Sequence, residues 1–401
     1  MTFKVLRSPL RYVQGPNALL RIGEQLEMLG IKHPLILASP SAKKAVAPML
    51  SESLEEKKIR YGLVEFGGQS SFKEIERVKN ACLDGGHDAI VNCGGGKTID
   101  AGRAAATGPA TNVHKDPPEF IPKFGAGVAC INVPTVAATD GATSASALVY
   151  SAKGTVEALL KFPTNPTMVF VDTAVIAKSP VRLLVAGMGD ALNTHFEADM
   201  NYRTASPSIG TRALSTITGR ALARLCLDIL LEFGLQAKRE AEAGIPGPGL
   251  EAVVEATVLL SGLGFENCGL SAAHAVAHGF DHVRESFERP PFHGEQSGFG
   301  TLVQLMLEGE SPELLDKIFR FCKAVGLPIT FDELGLRNAT DEVLGRVADA
   351  ASTNALIQSM AGARKEPDEE GRFFDDREIF NALKATDAYG RALTDRSSTQ
   401  K

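Results

Sequence analysis

Over its first 180 or so residues the chain alternates short β-branched runs with stretches of helical spacing, a pattern that few folds accommodate. The runs are PLILAS at 34–39, YGLVEF at 61–66, DAIVNC at 88–93, VACINVP at 128–134 and TMVFVDT at 167–173. Between them, residues 42–49, 72–84 and 98–106 carry the helical pattern. Such alternation predicts a mainly parallel sheet with helices on both faces. Residues 144–160, with Lys153 and Gly154 at their middle, predict a β-hairpin hanging from that sheet.

Beyond residue 180 the strand signal fades. Leu222, Leu225, Cys226, Ile229 and Leu230 have helical spacing, as do Leu314, Leu315, Ile318 and Phe319, then Val343, Leu344, Val347 and Ala348. The expected architecture is therefore an α/β domain over 1–180 and an all-α domain over 181–401, with exposed loops at 244–249 and 364–372. At 401 residues there is chain enough for both cores. A composition of 44% hydrophobic and 22% charged residues, with net charge -6, speaks for a globular protein and against partners such as nucleic acid or an anionic membrane. The six cysteines include no CxxC pair, and the start of the chain has no apolar leader; with no run of eighteen or so uninterrupted apolar residues, the expected location is the cytoplasm.

Two stretches carry chemistry. In DAIVNCGGGKTID, residues 88–100, a buried-strand pattern runs into three glycines and then a helix. Backbone N–H groups there can approach an anion, the helix N-terminus adds about half a positive charge, and Lys97 supplies a full one. This favours a pyrophosphate cradle over a merely tight strand-to-helix turn, although it matches neither GxGxxG nor the P-loop pattern. The cluster PTVAATDGATSAS at 134–146 follows another strand and so opens at the same sheet edge, where ligands of open α/β sheets bind. Asp140 lies in its middle, either as a turn-forming acid or as a polar group facing substrate.

The second stretch, residues 261–300, holds four of the eight histidines. His274, His278 and His282 recur every fourth residue, one stripe on a helix. His293 lies past Pro290 and Pro291, where the chain can fold back toward the stripe. The best carboxylate to join them is Asp190, in GMGDALNTHFEAD, ahead of an apolar helical pattern. One carboxylate with two imidazoles leaves a metal coordination position open, as catalytic sites require. An Asp before a helix also serves as an N-cap, and lone helical histidines pack by hydrogen bonding, so spacing alone leaves both readings open.

Taken together, SPLRYVQGPNAL, GGGKTID, VPTVAATDGATSA, NPTMVFVDT, GMGDALNTHFEA, LLSGLGFENCGLSAAHAVAHG and FHGEQSGFGTLVQLML resemble the iron-containing, or group III, alcohol dehydrogenases, and most closely their glycerol dehydrogenase branch. The resemblance implies a dehydroquinate synthase-like architecture: an N-terminal nucleotide-binding α/β domain, an all-α C-terminal domain, and an active site in the cleft between them. It places the metal ligands on Asp190, His274 and His293. It places coenzyme contacts on Gly94, Gly95, Gly96, Lys97, Asp100, Thr135, Thr139, Ser144 and Tyr150, with Ser39 at the adenosine ribose. Asp140 falls near the nicotinamide and the substrate alcohol, and His278 faces the substrate.

The chain also departs from these relatives. Ser39, followed by Lys43 and Lys44, stands where many carry an Asp that repels a 2′-phosphate, which leaves NAD or NADP open. His278 stands four residues after the first histidine ligand, as in the iron-dependent branch, yet Thr194 replaces that branch's fourth ligand. Three protein ligands point to zinc, with iron or another divalent metal also compatible. The implied enzyme is a metal-dependent oxidoreductase that transfers a hydride between a small polyol or secondary alcohol, glycerol or a 1,2-diol, and NAD(P). Relatives assemble as homo-oligomers, and the same is expected here. The alternatives are a 2-hydroxy acid dehydrogenase of the same family and a dehydroquinate synthase-like NAD-dependent cyclase; the latter needs cationic side chains around a phosphate, for which only Arg284 and Arg289 are at hand near the metal residues.

Overall fold

The computed structural model describes residues 3–115 and 117–398, which divide into two compact units. One comprises Arg7–Val181 with Arg239–Leu263; the other comprises the segment up to Leu6, Arg182–Lys238, and the chain from Gly264 onward.

Among its described residues the first unit has ten strands: β1 (Arg11–Gly15), β2 (Pro34–Ala38), β3 (Gly62–Glu65), β4 (Ala89–Gly94), β5 (Ala110–Asn112), β6 (Glu119–Ile121), β7 (Ala129–Pro134), β8 (Ser146–Tyr150), β9 (Val156–Lys161) and β10 (Met168–Asp172). Six form a wholly parallel sheet in the order β1-β10-β7-β4-β2-β3. Successive residues of β2 enter different cores. Leu35 and Leu37 pack with Ile90, Ala101 and Cys130 on one face; Ile36 and Ala38 pack with Val46, Val91 and Phe170 on the other. A strand buried on both faces has no polar side to show, and this is why these segments read as unbroken apolar runs.

The helices between the strands are α1 (Ile22–Met28), α2 (Pro40–Glu56), α3 (Phe72–Asp84), α4 (Gly96–Ala106) and the short α5 (Thr173–Ile176). Helix α2 is longer than its apolar pattern and runs through Pro48. The predicted hairpin is β8-β9, part of a separate antiparallel sheet in the order β6-β5-β9-β8. β1 was not expected; its side chains are all only half-buried, so RYVQG lacks the apolar signature of its neighbours.

The second unit is helical, and none of the ten strands lies in it. The remaining helices are α6 (Val181–Thr204), α7 (Ile217–Glu242), α8 (Pro248–Glu255), α9 (Ser261–Cys268), α10 (Ala272–Asp281), α11 (His293–Leu307), α12 (Pro312–Val325), α13 (Phe331–Leu334), α14 (Asp341–Ser352) and α15 (Asp376–Ser398); all lie in the second unit but α8, the first residue of α6, the end of α7 and the start of α9, which belong to the first. Phe280, Phe299, Val347 and Leu383, from α10, α11, α14 and α15, meet in one core.

Besides the change near residue 181, the compact units place Arg239–Leu263 with the α/β segment. Residues 239–263 are helical but pack with the α/β unit, because their polar groups are answered there. Gln14 donates to both the Glu251 carbonyl and its carboxylate, at 2.9 and 2.8 Å, and the Thr173 hydroxyl donates to the same carboxylate. A π-helical turn, Ala256–Leu260, joins α8 to α9, and within it the Val258 carbonyl accepts from Thr143 at 3.1 Å. The continuous helix Pro248–Cys268 is long and apolar enough to cross a membrane by length and composition, although Glu251, Glu255 and Glu266 interrupt it; 61% of its most apolar window is buried inside the protein, and Ser261, Glu266 and Asn267 are among its buried residues.

Candidate functional site

Three helices of the second unit bring Asp190, His274 and His293 together, with one donor atom of each within 4.8 Å of the others. His293 Nε2 lies 3.4 Å and His274 Nε2 3.9 Å from Asp190 Oδ1. Asp190 is not ahead of its helix, as the sequence suggested, but inside α6, ten residues along it. This excludes the N-cap reading. The glycines around it serve close packing: a β-carbon on Gly189 would lie 2.1 Å from the Gly294 carbonyl oxygen, and one on Gly294 1.8 Å from that of Ala186. Only bare backbone lets α11 start against α6, and that contact delivers His293 as the first residue of its helix. Gly300 does the same toward α10, where a β-carbon would lie 2.2 Å from the Ala273 carbonyl oxygen.

The donors suit a divalent cation. Burial by itself would raise the Asp190 carboxyl, but the hydrogen bond and charge of His293, the charge of His274 and the Ser297 hydroxyl hold it below its usual range. His274 is turned by Glu197, whose fully buried carboxylate accepts from His274 Nδ1 at 2.7 Å. One hard oxygen and two imidazole nitrogens fit zinc or iron equally in donor type.

His278 stands one turn on from His274. The three rings form a triangle with centroids 5.4 to 6.4 Å apart. Burial, then the neighbouring histidines, push His278 down to about 4. The Asn354 amide nitrogen lies 3.2 Å from its Nδ1. His282 is not part of the stripe: α10 ends at Asp281, leaving His282 as its exposed C-cap.

In the α/β unit the glycine turn is as the sequence implied. Gly94 ends β4, Gly95 caps α4 and Gly96 begins it. The three line a shallow concavity together with Val136 and Thr139. Thr135 donates its N–H to the Gly94 carbonyl at 3.2 Å, tying the ends of β4 and β7. Lys97 is exposed, its ammonium 5.3 Å from the centre of the Tyr150 ring. Asp100 accepts the Leu148 N–H at 3.3 Å and lies 3.6 Å from Arg103; burial pushes its carboxyl up to about 6 against both. Ser144 turns its hydroxyl to the Gly141 carbonyl. Ser39 is spent locally, as the N-cap of α2 accepting from Ala42 at 3.3 Å. Asp140 Oδ2 accepts the Ser261 hydroxyl at 2.7 Å.

Sequence reasoning missed Glu197, Ser261, Arg103 and Asn354. Arg103 is buried and donates to the Gly141 and Ser146 carbonyls, anchoring the loop that carries Asp140 to α4. The signal for Glu197 was its place seven residues after Asp190, two turns along one helical face.

Residues 9–173 match the family of iron-containing alcohol dehydrogenases. Over 384 residues, 96% of each chain, the protein is 37% identical to the glycerol dehydrogenase of Thermotoga maritima. The chain belongs to the iron-containing alcohol dehydrogenase family. It is also 38% identical to the glycerol dehydrogenase of Citrobacter freundii, across 86% of this chain and 89% of that one. The crystal structure of glycerol dehydrogenase from Schizosaccharomyces pombe superposes with a TM-score of 0.86 at 32% identity, covering 99% of this chain and 94% of that one. As an iron-containing alcohol dehydrogenase the protein is an oxidoreductase of alcohols or polyols, and neither the cyclase nor the hydroxy acid alternative is favoured. The cations that a cyclase would turn on a phosphate are engaged here, Arg284 by Asp281 at 2.9 Å and Arg289 by Glu295 at 4.0 Å.

Proposed function

We propose that the protein interconverts glycerol, or a small 1,2-diol, and the matching hydroxy carbonyl compound, using NAD(P) and a divalent cation held by Asp190, His274 and His293. The convergence of those three donors carries the reading. When bound, the cation supplies Lewis-acid polarisation of an alcohol oxygen, and the nicotinamide supplies the hydride acceptor. The chain's own residues prepare the rest. Asp190, whose Oδ1 is oriented by the Ser297 hydroxyl, and the two facing imidazoles define the cation position.

His278 is a donor rather than a base. With its pKa near 4 it is neutral at physiological pH, and Asn354, facing Nδ1, makes that nitrogen the acceptor. Its Nε2–H is then free to orient a substrate hydroxyl. The alcohol proton therefore leaves to solvent; in the α/β unit the Asp140 carboxylate is held by Ser261 at 2.7 Å. Gly94, Gly95, Gly96 and Lys97 receive the coenzyme pyrophosphate on the N-terminus of α4.

Three protein ligands, with Thr194 buried where a fourth histidine would stand, support zinc. For the coenzyme, Lys43 lies 3.4 Å from Glu65, the residue that ends β3 beside Ala38. A lysine already facing an acid has less to offer a 2′-phosphate, which supports NAD over NADP. Six buried free thiols suit a reducing compartment such as the cytoplasm.

The test is a coenzyme-reduction screen with NAD and NADP separately over glycerol, propane-1,2-diol and 2-hydroxy acids, before and after chelation and return of zinc or iron. Reduction with the polyols, lost on chelation and restored by zinc, is expected. Reduction that survives full chelation, or that is confined to hydroxy acids, defeats the reading.

A further inference from the structure

We infer that Glu197 is the positioning residue of the metal centre: one carboxylate fixes both the backbone of the first turn of α10 and the tautomer of the His274 ring, turning the Nε2 lone pair toward Asp190. The inference rests on the reading of Asp190, His274 and His293 as ligands and deepens it.

Glu197 is fully buried, and among the described residues its carboxylate meets no lysine or arginine. A buried carboxylate so placed must be satisfied by N–H donors, and three converge on it. Oε1 accepts from the backbone of Ser271 at 2.8 Å and of His274 at 2.9 Å; Oε2 accepts from His274 Nδ1 at 2.7 Å. The first two bonds replace a missing cap. Ser271 occupies the N-cap of α10 but makes no side-chain cap bond, so the N–H groups of that turn are met from outside, His274 by Glu197 and Ala273 by Gln304 at 2.9 Å.

The third bond sets chemistry. A carboxylate offers only acceptors, so the nitrogen facing it carries the hydrogen, and His274 is held as the Nδ1–H tautomer. Its lone pair then sits on Nε2, the nitrogen that faces Asp190. A metal ligand must present a lone pair; the other tautomer would aim a hydrogen at the cation. The same helix carries the ligand Asp190 and the brace Glu197, two turns apart, so the spacing between them is set by α6 itself.

Glu197→Gln keeps the shape and reverses the tautomer. Its amide oxygen must stay on the two backbone N–H groups, because an NH2 there would face two donors. The NH2 then faces Nδ1, which has to accept, and the ring hydrogen moves to Nε2. Competition of the metal-free protein with a chromophoric chelator for zinc should show the variant binding about 10–100-fold more weakly than wild type. Thermal unfolding of the two metal-free proteins, run beside it, should differ little. Zinc affinity within twofold of wild type overturns the inference. A second measurement needs no altered Glu197: nitrogen NMR of the metal-free wild type, with His274 identified by the signal lost in His274→Asn, should show the Nδ1–H form, and an Nε2–H form overturns the inference equally. Failure of the underlying metal reading looks different, since the wild type would then hold no zinc either and both would fall together.

Discussion

Gly189 and Gly294 touch backbone to backbone: a β-carbon on the first would lie 2.1 Å from the carbonyl oxygen of the second, a distance no side chain can occupy. Two helices that each supply a side chain of the candidate metal centre, Asp190 and His293, are thus locked by the absence of side chains one residue away from each. Gly189→Ala must push α11 off α6. The expected destabilisation is about 1–3 kcal/mol, the usual range for overpacking, measured by urea unfolding. Zinc affinity should fall with it, because His293 begins the displaced helix.

Removing a ligand should be more severe for function and milder for the fold. Asp190→Asn and His293→Ala are each expected to reduce turnover and zinc affinity by more than the roughly 10–100-fold typical of an outer-shell change. Far-UV circular dichroism should stay that of the wild type, since the helices are held by apolar cores such as that of Phe280 and Phe299. Unchanged turnover in both variants would remove the case for the metal centre.

Acid stability should depend on His195. Burial, and then Arg224, push this histidine down to about 4 from an ordinary 6.5, and its Nδ1 is buried with no hydrogen-bond partner. The unfolded chain therefore binds a proton between pH 6.5 and 4 that the folded chain refuses, and stability falls as pH drops through that window. His195→Phe, which keeps a ring beside Phe196, should lessen the fall in melting temperature over that range, leaving the part due to His278, and should leave it nearly unchanged at pH 8. A melting curve against pH that matches the wild type would contradict this.

Coenzyme binding should separate from metal binding. Lys97→Met removes the full positive charge at the start of α4 and is expected to weaken coenzyme affinity and its dependence on salt. Zinc affinity, set in a different unit by different helices, should not move. Coenzyme titration by fluorescence and chelator competition on the same preparation test both halves.

Much of the fold was legible because burial writes itself into composition. Strands β2, β4, β7 and β10 read as apolar runs because side chains on both of their faces enter cores, and β1 escaped notice because its side chains are all half-buried. Helical spacing found α7, α12 and α14. It could not tell where α10 would stop, and so it carried His282 into a stripe that the helix end excludes.

What the sequence alone determined was local: which segments are strands or helices, that a glycine turn with Lys97 opens α4, and that an acid and two imidazoles were available for a cation. Tertiary structure decided what these meant. It put Asp190 inside a helix rather than at its cap, returned residues 239–263 to the α/β unit through Glu251, and set Glu197 behind His274. The physical reason is that propensity and periodicity act over one or two helical turns, whereas the Asp190, His274 and His293 donors meet only where three helices pack on one another's bare glycine backbone.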